Sequence, residues 1–125
     1  MQSVRESLEN LIYNELRGVG LSVDVGEVLV NEVSDEGKNV RKQLEVDFVC
    51  NMGYRRYYVQ SAYSVADDDK REQELRPLRN IKDSFQKIIV VGDHTMRYQN
   101  DDGVLFISIY DFLLNKNAEF RKNIQ

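Results

Sequence analysis

The sequence lacks most of the residues from which special chemistry is built. Of 125 residues, one is cysteine, one proline and one histidine, and tryptophan is absent. The single cysteine, Cys50, cannot form a disulfide within the chain, which fits a reducing, cytoplasmic compartment. It falls on the apolar alternation of a strand and reads as a small buried hydrophobe rather than a nucleophile. The lone His94 lies in a polar stretch, HTMRYQNDDG, and reads as a loop residue rather than a ligand. No apolar run is long enough to cross a bilayer, so no membrane partner is expected. The N-terminal MQSVRESLEN is polar and does not resemble a signal peptide. There is no GxxxxGK[ST] loop to cradle phosphates. An excess of positive charge is missing as well: 17 Lys and Arg stand against 21 Asp and Glu, a net −4. That excludes a broad basic footprint for nucleic acid, though not a local basic patch.

What is present is a chain 42% hydrophobic and 30% charged, enough for one domain with its own core over residues 1–125. Leu44–Tyr63, LEVDFVCNMGYRRYYVQSAY, has the period of two that a hairpin requires. With Met52 and Gly53 at the tip, Asp47 faces Tyr58 and Glu45 faces Gln60. Cross-strand partners share a face. The expected face therefore carries Glu45, Asp47, Tyr58, Gln60 and Ala62, with Asp47 and Gln60 as diagonal neighbours. A carboxylate inside an apolar strand needs a partner; for Asp47 that is a metal or phosphate site, or else solvent or a hydrogen bond to Tyr58.

Val4–Gly18 reads as a helix whose stripe is Val4, Leu8, Leu11, Ile12, Glu15 and Leu16, with Ser3 and Glu6 as a capping box. Glu9 lies on an adjoining face. A helix opening so abruptly suggests a piece of a longer protein. Leu21–Val33 reads as a strand, and 34–39 as a polar turn. Ser64–Phe85 changes to helical period through Leu75, Leu78, Ile81 and Phe85, capped by Ser64 or Asp67, with Pro77 kinking or restarting it. Its outer surface is basic: Lys70, Arg71, Arg76, Arg79 and Lys82. Gln86–Asp93 is a continuous apolar run, the mark of a strand buried on both faces. A loop follows over 94–103, then a strand over 104–109, a short helix from Tyr110 to Leu114, and a polar, fraying tail over 115–125. The expected core is Leu8, Leu11, Leu16, Val46, Phe48, Leu75, Leu78, Ile88, Val90 and Phe106.

The order αβββαβ, with a mixed sheet flanked by helices, is an α/β (α+β) arrangement. The stretches LENLIYNEL, EVDFV, YVQSAY and RE…LRPL…IKD together resemble the C-terminal domain of unknown function that follows the ATP-binding module in bacterial and archaeal AAA-type ATPases. The resemblance runs over about residues 7–114. That family is similar to the PD-(D/E)xK superfamily, which implies a restriction-endonuclease-like fold. It also implies a site built from a helix acid, a strand aspartate and an acid-x-lysine. These fall on Glu9 (or Glu15), Asp47, and Gln60-Ser61-Ala62. Gln60 offers a neutral carbonyl and Ala62 offers nothing, so the resemblance implies a degenerate nuclease site.

Such chemistry needs carboxylates holding a divalent metal, magnesium, against a phosphate, with Asp47 as the remaining ligand. Lys70 or Arg71 could supply a relocated cation, and Glu45 a second carboxylate. The function implied is a non-catalytic accessory domain of an ATPase. Its partners would be the upstream ATPase module, which alone would bind ATP, and either DNA or another protein. The alternative is an active metal-dependent nuclease. Tyr54-Arg55-Arg56-Tyr57-Tyr58 interleaves aromatics with arginines, as a nucleic-acid surface would. Arg55, Arg56, Lys70, Arg71 and Arg76 are the candidate contacts, though in a chain acidic overall an exposed strand whose tyrosines pack by their rings is the preferred explanation of the run.

Overall fold

A computed structural model of the chain describes residues 4–93 and 95–114. The expected cap at Ser3, the loop residue His94 and the tail over 115–125 lie outside the described residues. The elements are α1 (Val4–Gly18), β1 (Ser22–Val33), β2 (Asn39–Met52), β3 (Arg55–Ala62), α2 (Asp68–Arg79), β4 (Gln86–Val91), β5 (Tyr98–Gln99), β6 (Val104–Ser108) and α3 (Ile109–Leu114). They form a mixed α/β fold around one six-stranded sheet of order β1-β2-β3-β4-β6-β5. β1, β2 and β3 pair antiparallel, β3, β4 and β6 parallel, and β5 antiparallel to β6. The parallel pair β3–β4 requires a crossover, and α2 supplies it.

Each face of the sheet has its own core. On one face Leu8, Ile12 and Leu16 of α1 and Ile109 and Phe112 of α3 pack on Phe48, Cys50, Tyr57, Val59, Ile88 and Val90. On the other, Leu75 and Leu78 of α2 pack on Val46, Val49, Tyr58, Ala62, Ile89 and Phe106. β4 feeds both cores, because Ile88, Ile89, Val90 and Val91 are all buried. That is why its sequence shows no alternation.

Four expectations are corrected. Leu11 is 48% exposed, while Ile12 beside it is fully buried, so the buried stripe of α1 runs Leu8–Ile12–Leu16. α2 is one helix, not a kinked pair: the Asp67 carboxylate caps it by accepting from the Asp69 N–H at 2.8 Å. Pro77 falls in its last turn, and the helix stops at Arg79 instead of reaching Phe85. A proline there strips an N–H from the ladder, and little helix follows. The stretch over 94–103 contains a short edge strand, β5, held by stacking of the Tyr98 and Phe106 rings at 4.6 Å. The hairpin tip is Gly53-Tyr54, since Met52 pairs with Arg55. Gly53 takes φ 60° there, a left-handed conformation that glycine adopts without a Cβ clash.

Candidate functional site

The tip sits one residue further along than the sequence suggested, which shifts the β2–β3 register by two. Phe48 faces Val59 and Val49 faces Tyr58. A slip of two leaves every side chain on its expected face. A second irregularity does not. Val25 pairs with Phe48 but Gly26 pairs with Val46, so Asp47 is an extra residue in β2. This is a β-bulge, and an inserted residue reverses the alternation beyond it. Leu44 and Val46 accordingly join the core under α2, whereas Phe48 and Cys50 join the core under α1.

The bulge decides where Asp47 points. Its Oδ2 accepts from the Ser61 N–H at 2.7 Å and from the Ser61 hydroxyl at 2.9 Å. Ser61 alternates with Tyr57 and Val59, which face α1. Gln60 faces the other way. Its Oε1 accepts from the Asp47 backbone N–H at 2.7 Å, and its Nε2 donates to the Glu74 carbonyl of α2 at 3.4 Å. The expected shared face for the Asp47 and Gln60 side chains is therefore wrong. Gln60 and Ala62 lie with Tyr58 on the α2 side. Gln60 is 4% exposed and ties the bulge to α2 through the two hydrogen bonds of its side-chain amide.

On the α1 side, Asp47 shares a cleft with Glu9. Both line a shallow cleft of about 190 Å³ with Val25, Gly26, Glu27, Glu45, Val46 and Phe48. Glu15 is not among its walls. Glu27 and Glu45 are directly opposite each other across β1 and β2, and like charges so placed repel. Among the described residues the cleft is thus lined by four carboxylates and by no Lys or Arg. For magnesium the fit is poor. Among the described residues no three Asp, Glu, His or Cys side chains group closely enough to hold a metal ion, and one Asp47 oxygen is already occupied by Ser61. Sequence reasoning missed Ser61 and Glu27. The run Phe48-Val49-Cys50, apolar at three successive positions, is the signal that alternation breaks nearby.

The basic candidates are dispersed. Lys70 lines a separate cleft with Ser61, Tyr63, Ser64, Gln73 and Glu74. Arg71 donates to Asp68 at 2.6 Å and to the Val65 carbonyl at 3.3 Å. Arg76 is exposed on α2. Arg56 is tied to the Asn51 side chain at 2.9 Å. Arg55 is half-buried, with Nη1 enclosed and unpaired among the described residues. The tyrosines beside them do not form a stacking surface, because Tyr57 and Tyr58 are buried and only Tyr54 stands out. Tyr58 instead donates to Asp83 Oδ2 at 2.5 Å. Lys87 joins the same group, 3.3 Å from Asp83 and over the Tyr58 ring. Burial first, and then the Asp83 hydrogen bond, push the Tyr58 phenol above its ordinary pKa.

Among the described residues no helix is long and apolar enough to cross a membrane. No known family profile matches the chain. It is 30% identical over 107 residues to an uncharacterized protein of Haemophilus influenzae, a match covering 86% of this chain and 22% of that protein. The chain thus spans about a fifth of the length of the curated relative it matches. The fold is similar to the crystal structure of a protein of unknown function, with a TM-score of 0.53 over 90% of this chain and 62% of the other. At 13% identity that likeness shows a shared fold alone.

Proposed function

We propose that the chain is a restriction-endonuclease-like scaffold that has lost phosphodiester cleavage. In this reading it serves as an accessory domain of an AAA-type ATPase in the cytoplasm, docking on the ATPase module or another protein. The observation that carries it is the pairing of Asp47 with Ser61, while Gln60 and Ala62, the positions matched to the acid and the lysine, turn away toward α2. Ser61 satisfies the carboxylate without offering a cation to a phosphate, and the transition-state stabilisation such a cation gives is forfeited. The order αβββαβ, with a bulged aspartate turned toward the first helix, supports the fold assignment. The greater length of the Haemophilus protein leaves room for a further module there. Protein association is favoured over nucleic acid because the cleft is acidic and the tyrosines beside Arg55 and Arg56 are buried.

The test is supercoiled plasmid incubated with the chain in magnesium and in manganese, beside Asp47→Asn. No nicking above the variant's background is expected. Cleavage that co-purifies with the protein and disappears in Asp47→Asn would overturn the reading.

One observation favours the alternative, an active metal-dependent nuclease. Glu27 directly against Glu45, on the cleft that Asp47 also lines, is a like-charge contact that a divalent cation would relieve. Calorimetric titration with manganese separates the two: a stoichiometric site lost in Asp47→Asn belongs to the nuclease reading.

A further inference from the structure

We infer that β1 is a self-association edge, on which two copies of the chain pair antiparallel about a twofold axis passing at Leu29. This goes beyond the accessory-domain reading and does not rest on it. Among the described residues β1 is the outermost strand of the sheet and 12 residues long, whereas the opposite edge, β5, has two residues. An edge of that length presents a row of unpaired N–H and C=O groups, a template for another strand. Val25, Leu29 and Val33 recur at every fourth position on one face and are 72%, 57% and 71% exposed. Glu27 and Asn31 alternate with them.

The register identifies a second copy as the occupant. Edge-to-edge antiparallel pairing about a twofold keeps both copies' faces aligned, so odd residues meet odd and even meet even. With Leu29 opposite Leu29 of the second copy, Val25 meets Val33 and Glu27 meets Asn31. On the other face Val28 meets Val30, Gly26 meets Glu32, and Asp24 meets Ser34. Every apolar side chain from Val25 to Val33 faces an apolar one, and no carboxylate faces a carboxylate. Moving the axis to Val28 sets Asp24 against Glu32. Moving it to Val30 sets Leu29 against Asn31 and Val28 against Glu32. Opposite charges or matched apolar pairs stabilise a ladder, and like charges oppose it. Gly26, at φ 119°, interrupts the strand. The regular ladder therefore spans Glu27–Asn31 in each copy, and the Val25–Val33 contacts close its ends. Such a contact is isologous and self-limiting, a closed dimer rather than a fibre.

Sedimentation across a range of concentrations reads the association, and engineered thiols read the register. The whole chain is expected to show a reversible monomer–dimer equilibrium. Leu29→Lys, an exposed change that keeps the fold by circular dichroism, should weaken dimerisation about tenfold or more by setting like charges on the axis. Leu29→Cys should form a covalent dimer on mild oxidation, since directly opposed strand residues lie within disulfide reach. Val25→Cys and Val33→Cys should cross-link when mixed but not singly. A chain that stays monomeric at sub-millimolar concentration overturns the inference. So does a dimer that persists in Leu29→Lys, or one that cross-links from Val25→Cys alone.

Discussion

Asp47 and Ser61 hold each other across the bulge, with one carboxylate oxygen accepting from both the N–H and the hydroxyl of the serine. Hydrogen bonds to a charged group in a half-buried setting contribute about 1.5–3 kcal/mol. Ser61→Ala removes one of the two and should lower stability by about 1–2 kcal/mol in a urea melt. Asp47→Ala leaves the Ser61 N–H without its acceptor and should cost more, about 2–3 kcal/mol. If Asp47→Ala is neutral, the pair contributes nothing to holding the bulge.

Glu27 and Glu45 stand directly opposite each other on an exposed part of the β1–β2 ladder. Removing one charge removes a repulsion. Glu45→Gln should therefore stabilise the fold by roughly 0.2–1 kcal/mol at low ionic strength. The gain should shrink in high salt, where exposed charges are screened. Melts of both proteins at low and high salt check the sign and the trend together.

Leu11 and Leu16 occupy the same helix with opposite burial, 48% and 0% exposed. Leu16→Ala should cost about 2–5 kcal/mol, the range for emptying a filled core site. Leu11→Ala should change stability by less than about 0.5 kcal/mol, as exposed substitutions do. Comparable losses from the two would show that α1 is rotated about its axis.

Alkaline stability follows from buried acids, Cys50 and Tyr58 among them. Burial first, and then the charge of Asp24, push the Cys50 thiol from 9.0 to about 12. Tyr58 is raised above 10.0 by burial and by Asp83. In each case the folded state holds the proton more tightly than the unfolded chain. The stabilisation is complete below the unfolded pKa and is lost as pH climbs toward the folded one. Stability should fall from pH 9 upward through Cys50, with Tyr58 adding to the loss above pH 10. Cys50→Ser and Tyr58→Phe should each flatten that slope in melts taken across the range. Iodoacetamide should label Cys50 only in denaturant, because thiolate is the reactive form.

The element order was legible because period changes are loud. Alternation through Leu44–Cys50 announces a strand, and Leu75 and Leu78 announce a helix. The unbroken QKIIVV announces a strand buried twice. The face that Asp47 uses was not legible, because the bulge is silent in a hydrophobic pattern. Val46 and Phe48 are both buried and both apolar, although they enter different cores. Only Val49, buried on the α2 side where a single phase demands an outward residue, betrays the break. The same silence put Gln60 beside the Asp47 carboxylate, when it bonds the Asp47 backbone from the opposite face. Leu11 was misplaced for a different reason. Leu11 and Ile12 are adjacent, and periodicity alone does not say which of two neighbours lies at the centre of the stripe.

The crossover through α2 also orders events in time. β1, β2 and β3 are joined by tight turns, so their contacts close short loops and can form early. β4 finds β3 only after the chain from Ser64 to Phe85 has looped across the sheet. Pairings of greater sequence separation are slower to form. A strand enclosed on both faces is thus a late arrival in folding. Once in place its amides have no route to solvent short of opening both cores, which makes β4 the segment where hydrogen exchange reports the global free energy.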